Sequence, residues 1–353
     1  MDLPPFLLDQ WLATYEFRAD APRYNLASST GPAWTLAHLQ DLTGGPDLAN
    51  LPITYAPPNG SRALREAIAA HFHVDPDWVV VTTGASEALS ILFCLAAGDG
   101  ADVVLPSPGY PACAALARAW GLGVTEYQLR REHGFRPTGT QILDATGPGT
   151  TLSLINTPHN PTGAVCPSSI IHELAAALGE RRVPLVVDEV YHPLYFDAGQ
   201  GTVAGTDNVI VIGDMSKAMS FAGLRIGWII DANAERRQRI VNARSYFTVS
   251  GSPISEAIAT HVLNYSGAVI DRLVAVASAN LGVLDRLMAD VADVLAWVRP
   301  QGGTTAFPWF VDGRDSRPFC ERLAEAGVLI APGDCFGAPD HIRISIGAQS
   351  SGI

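Results

Sequence analysis

The chain has 353 residues, of which 48% are hydrophobic and 16% are charged, and its formal net charge is −12 at pH 7. This length and composition predict a compact globular protein with a large core, exceeding one simple domain. The negative net charge argues against a general nucleic-acid binder and against a basic membrane-surface protein, since both need clustered positive charge.

The cysteines and the N-terminal segment bear on the cellular compartment. The five cysteines are odd in number and widely spaced, with no Cys-x-x-Cys pair, which is typical of reduced thiols and not of a disulfide framework or a zinc site. Residues 1–6 lack the basic start and apolar stretch of a signal peptide, and no apolar run is evident that would span a bilayer. We therefore expect a cytoplasmic protein with no bound metal and no membrane or nucleic-acid partner.

Short apolar runs alternate with segments of helical period between about residue 78 and residue 232. The predicted strands, in chain order, are 78–81, 101–105, 151–155, 184–187, 208–212 and 225–230. Helices are predicted at 86–97 and 112–120. Strands this apolar, separated by helices, indicate a mostly parallel sheet covered on both faces, and the ligands of such sheets bind beyond the carboxyl ends of the strands.

A smaller α/β unit is predicted after the large sheet. A long, mostly helical pattern covers about 256–295 and ends before Pro300. A helix near 318–326 and strand-like pieces at 328–330 and 342–346 follow it. We therefore predict a large domain at 46–270 and a small domain built from 1–45 and 271–353, joined by the long helix.

Lys217 is the only lysine in the chain. A composition rich in alanine, glycine and proline explains why lysine is scarce, but it does not explain where the one lysine stands. An amine can lose its proton and condense with an aldehyde, whereas a guanidinium cannot. Lys217 is therefore a candidate Schiff-base lysine.

Polar residues follow three of the predicted strands. Residues 83–87 form a glycine turn before a helix, and the free backbone N–H groups there suit a phosphate or an ordinary helix cap. Asp188 is either a cap or, if a pyridine cofactor is bound, the carboxylate that keeps the ring nitrogen protonated. Tyr191, three residues further on, and Asn160, in the turn at 156–163, are candidate partners of the phenolic oxygen of such a cofactor.

The combined motifs resemble fold-type I pyridoxal-phosphate (PLP) enzymes, and within them the class I/II aminotransferases related to aspartate aminotransferase. The motifs stand in the family's order and are Tyr55-x-x-Pro58-x-Gly60, Gly84-Ala85-Ser86, Pro106-x-Pro108-Gly109-Tyr110-Pro111, Asn156-x-Pro158-x-Asn160-Pro161-x-Gly163, Asp188-Glu189-x-Tyr191, Ser216-Lys217 with Gly223-x-Arg225-x-Gly227, and Pro332-Gly333-x-x-Phe336-Gly337 before Arg343. The resemblance implies the α/β fold of that class, with a mostly parallel seven-stranded sheet in the large domain and a smaller α/β domain.

The resemblance also implies a role for each matching residue toward PLP. Lys217 would be the catalytic lysine that holds the cofactor and shuttles the Cα proton, with Asp188 on the pyridine nitrogen. Tyr191 and Asn160 would bind the phenolic oxygen, and Tyr110 would stack on the ring. The phosphate would be held by Gly84, Ala85, Ser86, Ser216, Arg225 and, from the second subunit of a homodimer with shared active sites, Tyr55.

The substrate is expected to be an amino acid. The resemblance implies that Arg343 clamps its α-carboxylate through two parallel hydrogen bonds, with Asn160 and Gly31 as further contacts; without the resemblance, Arg343 reads as a surface residue of an edge strand. Arg23 and Arg244 are candidates for an anionic side chain, although either reads more simply as a surface charge. His192 reads more readily as a packing residue than as a base. Further candidate pocket residues are 26–31, Trp34, Tyr246, Gly303 and Thr304.

Asp214 departs from the family pattern. It stands three residues before the lysine, where the family often has a serine or threonine that donates to the phosphate. A carboxylate at that place repels a phosphate dianion. Asp214 is therefore expected either to turn away, for example toward an arginine, or to belong to a rebuilt phosphate site.

The resemblance implies transamination of an L-amino acid through internal aldimine, external aldimine and quinonoid or ketimine intermediates. The alternative is a PLP-dependent lyase or a β- or γ-elimination–replacement enzyme, including one that closes a ring, because these reactions share their first steps and diverge through a few pocket side chains. A remote alternative is a sensor or regulator that binds PLP without turnover. The sequence does not identify the amino acid or its acceptor.

Overall fold

The computed structural model describes residues 3–196 and 199–348. In chain order, the strands of these residues are β1 (Tyr24–Asn25), β2 (Val79–Thr82), β3 (Asp102–Ser107), β4 (Gly123–Gln128), β5 (Thr150–Asn156), β6 (Leu185–Asp188), β7 (Val209–Asp214), β8 (Gly227–Asp231), β9 (Leu295–Ala296), β10 (Thr305–Ala306), β11 (Trp309–Phe310), β12 (Val328–Leu329), β13 (Ala331–Pro332) and β14 (Ile342–Ser345).

Eleven α-helices accompany these strands in the described residues. In the described residues they are α1 (Leu7–Glu16), α2 (Leu36–Thr43), α3 (Arg62–Phe72), α4 (Gly84–Ala96), α5 (Pro111–Ala119), α6 (Gly139–Ala145), α7 (Ser168–Glu180), α8 (Ala234–Phe247), α9 (Pro253–Asn264), α10 (Ser266–Asp290) and α11 (Arg317–Glu325). Their positions match the helical segments that the sequence predicts at 86–97, 112–120 and 318–326 to within two residues at each end.

The central sheet has seven strands in the order β2-β8-β7-β6-β5-β3-β4. Strand β8 runs antiparallel to both of its neighbours, and the other neighbouring pairs are parallel. The prediction of a mostly parallel seven-stranded sheet is therefore confirmed. The individual strand predictions had missed β4, because this edge strand has mostly exposed or half-buried residues and lacks the apolar run of the central strands.

Alternate residues of the strands face two separate apolar cores. Val79 and Val81 of β2 belong to one core, together with helices α3, α7 and α9. Val80 belongs to the other core, which includes residues of α4, α5 and α8. Since successive side chains of a strand point to opposite faces, strands with both faces covered must be apolar throughout. This packing fixes the sheet, and with it the positions of the strand ends.

The N-terminal segment packs with the C-terminal part of the chain. Leu8 and Trp11 of α1 share a buried core with Cys320 and Ala324 of α11, and Trp11 Nε1 donates a hydrogen bond to the Ile330 carbonyl at 2.9 Å. Strand β1 pairs in parallel with β12. This packing is what a small unit built from both ends of the chain requires, although the boundaries at residues 45 and 270 stay predictions.

The predicted long helix at 256–295 is two helices. Helix α9 ends at Asn264, Tyr265 leaves the helical conformation (φ −118°, ψ 23°), and α10 ends at Asp290. Helix α10 is also long and apolar enough to cross a membrane by length and composition, which the sequence reading had not recognised. It is amphipathic, with a buried stripe at helical spacing that consists of Val269, Leu273, Ala277, Leu281, Leu284 and Met288. A core helix passes the same test, so this is weak evidence for a membrane span.

Candidate active site

A cavity of about 310 Å³ lies where the carboxyl ends of the central strands meet residues of the N-terminal segment. Its size is in the range of small-molecule sites. It is lined by Leu8, Asp9, Leu12, Ser28, Ser29, Ala85, Ser86, Leu89, Tyr110, Asn156, Asn160, Asp188, Val190, Tyr191, Asp214, Ser216, Lys217, Ala222, Arg225 and Arg343. Most of the site residues predicted from the sequence are therefore brought together in one cavity.

Lys217 follows β7 and enters this cavity from the end of the sheet. Its Nζ donates a hydrogen bond to the Ser29 hydroxyl at 2.8 Å. Burial lowers the pKa of Lys217, while the carboxylates of Asp214 and Asp188 oppose that shift. A lowered pKa increases the fraction of free amine near neutral pH, which is the form that attacks an aldehyde or accepts a proton.

Asp188 is the last residue of β6 and is only 6% exposed. Its Oδ1 accepts a hydrogen bond from the Val190 N–H at 3.1 Å. Burial raises the pKa of Asp188 to about 7; the Asp214 carboxylate adds to the shift and Lys217 opposes it. A buried carboxyl with one backbone donor and no salt bridge in the described part of the chain is suited to a cationic partner such as a protonated ring nitrogen.

Tyr191 and Asn160 lie beside Asp188 in the cavity lining. The Tyr191 hydroxyl is fully buried and makes no hydrogen bond of standard geometry, although Ser29 and Thr304 lie close to it. Asn160 is held by its backbone N–H, which donates to Asn156 Oδ1 at 2.7 Å. A buried hydroxyl without a partner is costly unless a ligand completes its hydrogen bonding.

The start of α4 and Arg225 form a second polar part of the cavity. Gly84 has φ +76°, and a Cβ there would collide with the Arg225 guanidinium, so glycine allows both the turn and the close approach. Ala85 and Ser86 in the first turn of α4 line the cavity with Arg225. A helix N-terminus facing an arginine is suited to an anion such as a phosphate.

Asp214, the residue that departs from the family pattern, belongs to the same cavity. It lines the cavity, and its Oδ1 accepts a hydrogen bond from the Ser216 N–H at 2.8 Å. No salt bridge joins it to an arginine among the residues that the structure describes. The carboxylate is therefore on the cavity wall and held by a backbone N–H, and its relation to a bound phosphate stays a prediction.

Arg343, in β14, is only 1% exposed. Its Nη1 donates to Asn160 Oδ1 at 3.1 Å, and its Nη2 donates to the Ala27 carbonyl. The guanidinium lies 4.8 Å from the centre of the Phe336 ring, and its Nε has no hydrogen-bond partner. Burial lowers the pKa of Arg343. A buried cation that forms no salt bridge with the described residues is suited to bind an anionic ligand group.

Three of the predicted contacts are absent from the lining of this cavity, namely Tyr55, Gly31 and Gly84, the last of which packs against Arg225. Tyr55 is 82% exposed, as its predicted reach into a second subunit requires, but no partner tests that role. Gly31 does not line the cavity, because it lies against Ser220 and Leu273, where a Cβ would collide with both side chains. The prediction of Gly31 as a substrate contact is therefore not supported by its position; Ser28 and Ser29 line the cavity instead.

Most of the candidates for the substrate side-chain pocket do not line this cavity and contact residues elsewhere. Arg23 lies over the Tyr24 ring, and Trp34 stacks on Phe221. Tyr246 is 85% exposed. His192 is hydrogen-bonded to Tyr195 at 3.0 Å. Arg244, Gly303 and Thr304 are likewise absent from the cavity lining.

Arg244 is a buried structural residue. It is fully buried, hydrogen-bonds the Pro58 carbonyl and lies 3.9 Å from Glu87. Thr304 acts indirectly, because its hydroxyl donates to the Ser29 carbonyl at 2.8 Å and so fixes the residue that faces Lys217.

The sequence reading missed the contribution of α1. Leu8, Asp9 and Leu12 of this helix line the cavity, and the Phe6 ring meets the Tyr110 ring edge-on at 6.0 Å. No motif marks these residues, and only their spacing on one helix face signals that they point the same way.

The residues present fit PLP, which supplies an aldehyde, a basic ring nitrogen and a phosphate. Lys217 offers an amine, Asp188 offers a buried carboxyl that forms no salt bridge with the described residues, and the buried Tyr191 hydroxyl offers a donor. The start of α4 and Arg225 provide an anion site. Asp214 is the departure from the family pattern within this lining.

Comparisons with known proteins agree with this site. The model of the family "Aminotransferase class I and II" matches residues 25–352. Capreomycidine synthase of Streptomyces vinaceus is 33% identical over 97% of this chain and 89% of that protein. Aspartate aminotransferase from Thermus thermophilus, solved with maleate, has a TM-score of 0.90 and 26% identity over 99% of this chain and 94% of that chain. The PLP-dependent cyclase OrfR has a TM-score of 0.87 and 25% identity over the same shares of the two chains.

The family match and the relatives both span almost the whole chain. They confirm the resemblance drawn from the motifs and the fold-type I architecture, and the family implies PLP as the cofactor. The chain belongs to the aminotransferase class I and II family and is a fold-type I enzyme of the PLP-dependent aminotransferase kind.

Proposed function

We propose that this protein binds PLP in the 310 Å³ cavity and transfers the amino group of an L-amino acid to a 2-oxo acid. The observation that carries the proposal is that Lys217, Asp188 and Arg343 line one cavity. These three groups are an amine, a buried carboxyl and a buried guanidinium. Together they match the aldehyde and ring nitrogen of the cofactor and the α-carboxylate of the substrate.

Each residue has a distinct task in this proposal. Bound PLP supplies an electron sink for the pair of electrons left when the Cα proton is removed. Lys217 Nζ accepts that proton and returns it, and the Ser29 hydroxyl 2.8 Å away holds the free amine in place. Asp188 keeps a proton on the ring nitrogen. Arg343 fixes the α-carboxylate, so that the Cα–H bond is aimed at Lys217.

The remaining contacts are part of the same proposal. Tyr110 stacks on the ring, Tyr191 and Asn160 bind the phenolic oxygen, and Ala85, Ser86, Ser216 and Arg225 hold the phosphate. Tyr55 reaches the phosphate of a partner subunit, so we propose a homodimer. We also propose a cytoplasmic location and the domain division at residues 45 and 270.

The test is the absorption spectrum of purified protein loaded with PLP and mixed with one amino acid at a time, without a 2-oxo acid. Conversion to the amine form of the cofactor without free ammonia establishes the half-reaction and identifies the donor. Adding a 2-oxo acid should then restore the aldehyde form. A protein that binds no PLP, or that binds it and converts with no amino acid in a broad panel, contradicts the proposal.

A second candidate is an elimination, replacement or ring-closing reaction on an amino acid. It is favoured by the 33% identity to a protein named capreomycidine synthase and by the structural likeness to a PLP-dependent cyclase. Lys217, Asp188 and Arg343 would do the same work up to removal of the Cα proton. The same spectra discriminate the two reactions, because a released group or a cyclic product with return of the aldehyde form indicates the second candidate.

Replacing Asp214 by serine is expected to tighten PLP binding about tenfold. In the family pattern this position donates to the phosphate, and a carboxylate there repels a phosphate dianion, so removing the charge should relieve that repulsion. Titration of cofactor-free protein, followed by absorbance, gives the Kd. Pyridoxal, which lacks the phosphate, is the matched control. An unchanged ratio of the PLP and pyridoxal affinities would show that Asp214 does not act on the phosphate.

Replacing Arg343 by lysine is expected to raise KM for amino acids about tenfold or more, with a smaller effect on kcat. Lysine keeps the charge but loses the planar fork that binds a carboxylate through two hydrogen bonds. Steady-state kinetics measures the split between KM and kcat, and Arg314→Lys on the surface is the control. PLP binding should be unaffected. A variant with unchanged KM would place the α-carboxylate elsewhere.

A further inference from the structure

Helix α1 forms part of the wall of the active-site cavity. Leu8 and Leu12 are one helical turn apart and line it together with Asp9. The same helix is anchored by Trp11, whose indole N–H is hydrogen-bonded to the Ile330 carbonyl at 2.9 Å. Two leucines with a carboxylate beside them are therefore held in the wall of the cavity.

The three aspartates of the cavity lining differ in their hydrogen-bond partners. Asp188 and Asp214 each accept a hydrogen bond from a backbone N–H at the end of the sheet. Asp9 comes from α1 and is exposed overall, and its carboxylate has neither a hydrogen bond nor a salt bridge to any described residue. Lys217 is near enough to lower the pKa of Asp9, although partial burial raises it overall.

The cavity has few cations to offer to a substrate side chain. The positively charged residues of the lining are Lys217, Arg225 and Arg343, and the proposed function uses all three for the cofactor aldehyde, its phosphate and the α-carboxylate. Within the described part of this chain, no further cation lines the cavity. An acidic side chain of a substrate would meet Asp9 and be repelled.

We infer that the substrate is an amino acid whose side chain has an aliphatic stem and a cationic head group, and that Asp9 binds this head group. The inference rests on the proposed function, since Arg343 and Lys217 place the α-carboxylate and Cα. In this binding mode Leu8 and Leu12 contact the methylene stem, and the Asp9 carboxylate pairs with the head group. A neutral apolar side chain would desolvate the Asp9 carboxylate without offering it a hydrogen bond or an ion pair in return.

A different role for Asp9 is conceivable from its place in the first turn of α1, because an acidic residue there stabilises a helix through the dipole. That role predicts a loss of thermal stability in an Asp9 variant and an equal effect on all substrates. Recognition of a head group predicts an effect only on cationic ligands. Charge-matched pairs of ligands therefore separate the two roles.

The experiment measures binding of L-arginine and L-citrulline to cofactor-free protein by titration calorimetry. The two ligands have nearly the same shape, but only arginine carries a positive side chain. We expect arginine to bind about tenfold more tightly to the unaltered protein, and Asp9→Asn to remove that preference while leaving the citrulline Kd unchanged. L-lysine and L-norleucine form a second pair, which covers a shorter head group.

Two variants serve as controls. Asp9→Glu retains the charge and should keep a preference for the cationic ligands, and Asp20→Asn, at a surface pair with Arg18, should change nothing. Equal binding of both members of each pair to the unaltered protein overturns the inference. So does an Asp9→Asn variant that weakens arginine and citrulline alike.

The same protein, loaded with PLP and mixed with the four amino acids, separates this inference from the proposed function. If norleucine or citrulline converts the cofactor and the conversion does not depend on Asp9, the proposed function is supported and the inference about the side chain is contradicted. Charge-selective binding through Asp9 with no conversion of the cofactor by any amino acid retains the inference about the ligand and removes the proposed function.

Discussion

Replacing Lys217 by arginine is expected to lower turnover of every amino acid by at least about 10³-fold. General acid–base catalysis alone contributes about 10²- to 10⁴-fold, and a guanidinium can neither condense with an aldehyde nor accept a proton near neutral pH. Arginine preserves the positive charge beside Asp188 and Asp214, so a loss of activity would reflect the chemistry of the amine. Single-turnover absorbance spectroscopy measures the rate directly.

The chain offers an unusually clean covalent readout for the same variant. Because Lys217 is the only lysine, reduction with borohydride followed by mass spectrometry of peptides should place the bound cofactor on the peptide that contains Lys217. Lys217→Arg should carry no such mass. Ser29→Ala, which removes the hydroxyl that faces Nζ, is the matched control and should retain the label. A Lys217→Arg enzyme with normal turnover would contradict the assigned role.

The sheet was predictable because its residues are constrained from both sides. Strands such as β2 and β7 are buried throughout, so the requirement for apolar side chains on both faces leaves a visible run in the sequence. Strand β4 was not predicted, because it is an edge strand with exposed residues and lacks an apolar run. The break between the two helices at Tyr265 was not predicted, because the helical spacing of apolar residues continues on both sides of it. A single residue that leaves the helical conformation does not disturb that spacing.

The strand-end part of the site was predictable for a related reason. Asp188, Lys217 and Asn160 each follow a recognisable strand, and the carboxyl ends of parallel strands meet at one edge of a sheet. Residues that reach the cavity from elsewhere carry no such signal. Asp9 lies some 200 residues from Lys217 in the chain, and only the packing of α1 against the C-terminal part brings it there. Ser28 and Ser29 line the cavity where the sequence suggested Gly31, in a segment whose position depends on that packing.

Replacing Asp188 by asparagine is expected to lower the rate of Cα-proton removal by about 10²- to 10³-fold. An amide at this position cannot stabilise a proton on the ring nitrogen through its charge, and the cofactor is then a weaker electron sink. The amide oxygen can still accept the Val190 N–H hydrogen bond that Asp188 accepts, so the strand end should keep its geometry. Exchange of the Cα proton with deuterated solvent measures the step, and Asp188→Glu tests whether charge alone suffices.

The same substitution of Asp188 by asparagine should lower the reaction rate but increase the stability of the cofactor-free protein. Burial raises the pKa of Asp188 from an ordinary value of 3.8 to about 7, so between these two values the folded state binds more protons than the unfolded state and the free energy of unfolding falls as pH rises. An asparagine does not ionise. The cofactor-free Asp188→Asn variant is therefore expected to gain stability relative to the unaltered protein as pH rises from about 4 to 7, with the difference constant above that range.

Chemical denaturation at pH 4.5, 6 and 8 measures this difference, and Asp334→Asn, at a half-buried pair with Arg317, is the comparison for an aspartate whose charge has a partner. Asp334→Asn should be destabilised at pH 8, because it loses that ion pair. An Asp188→Asn variant that loses both activity and stability at every pH would mean that Asp188 acts as a structural cap. A gain in stability at pH 8 together with a loss of proton exchange would mean that the buried charge is retained for its action on the ring nitrogen at a cost to the fold.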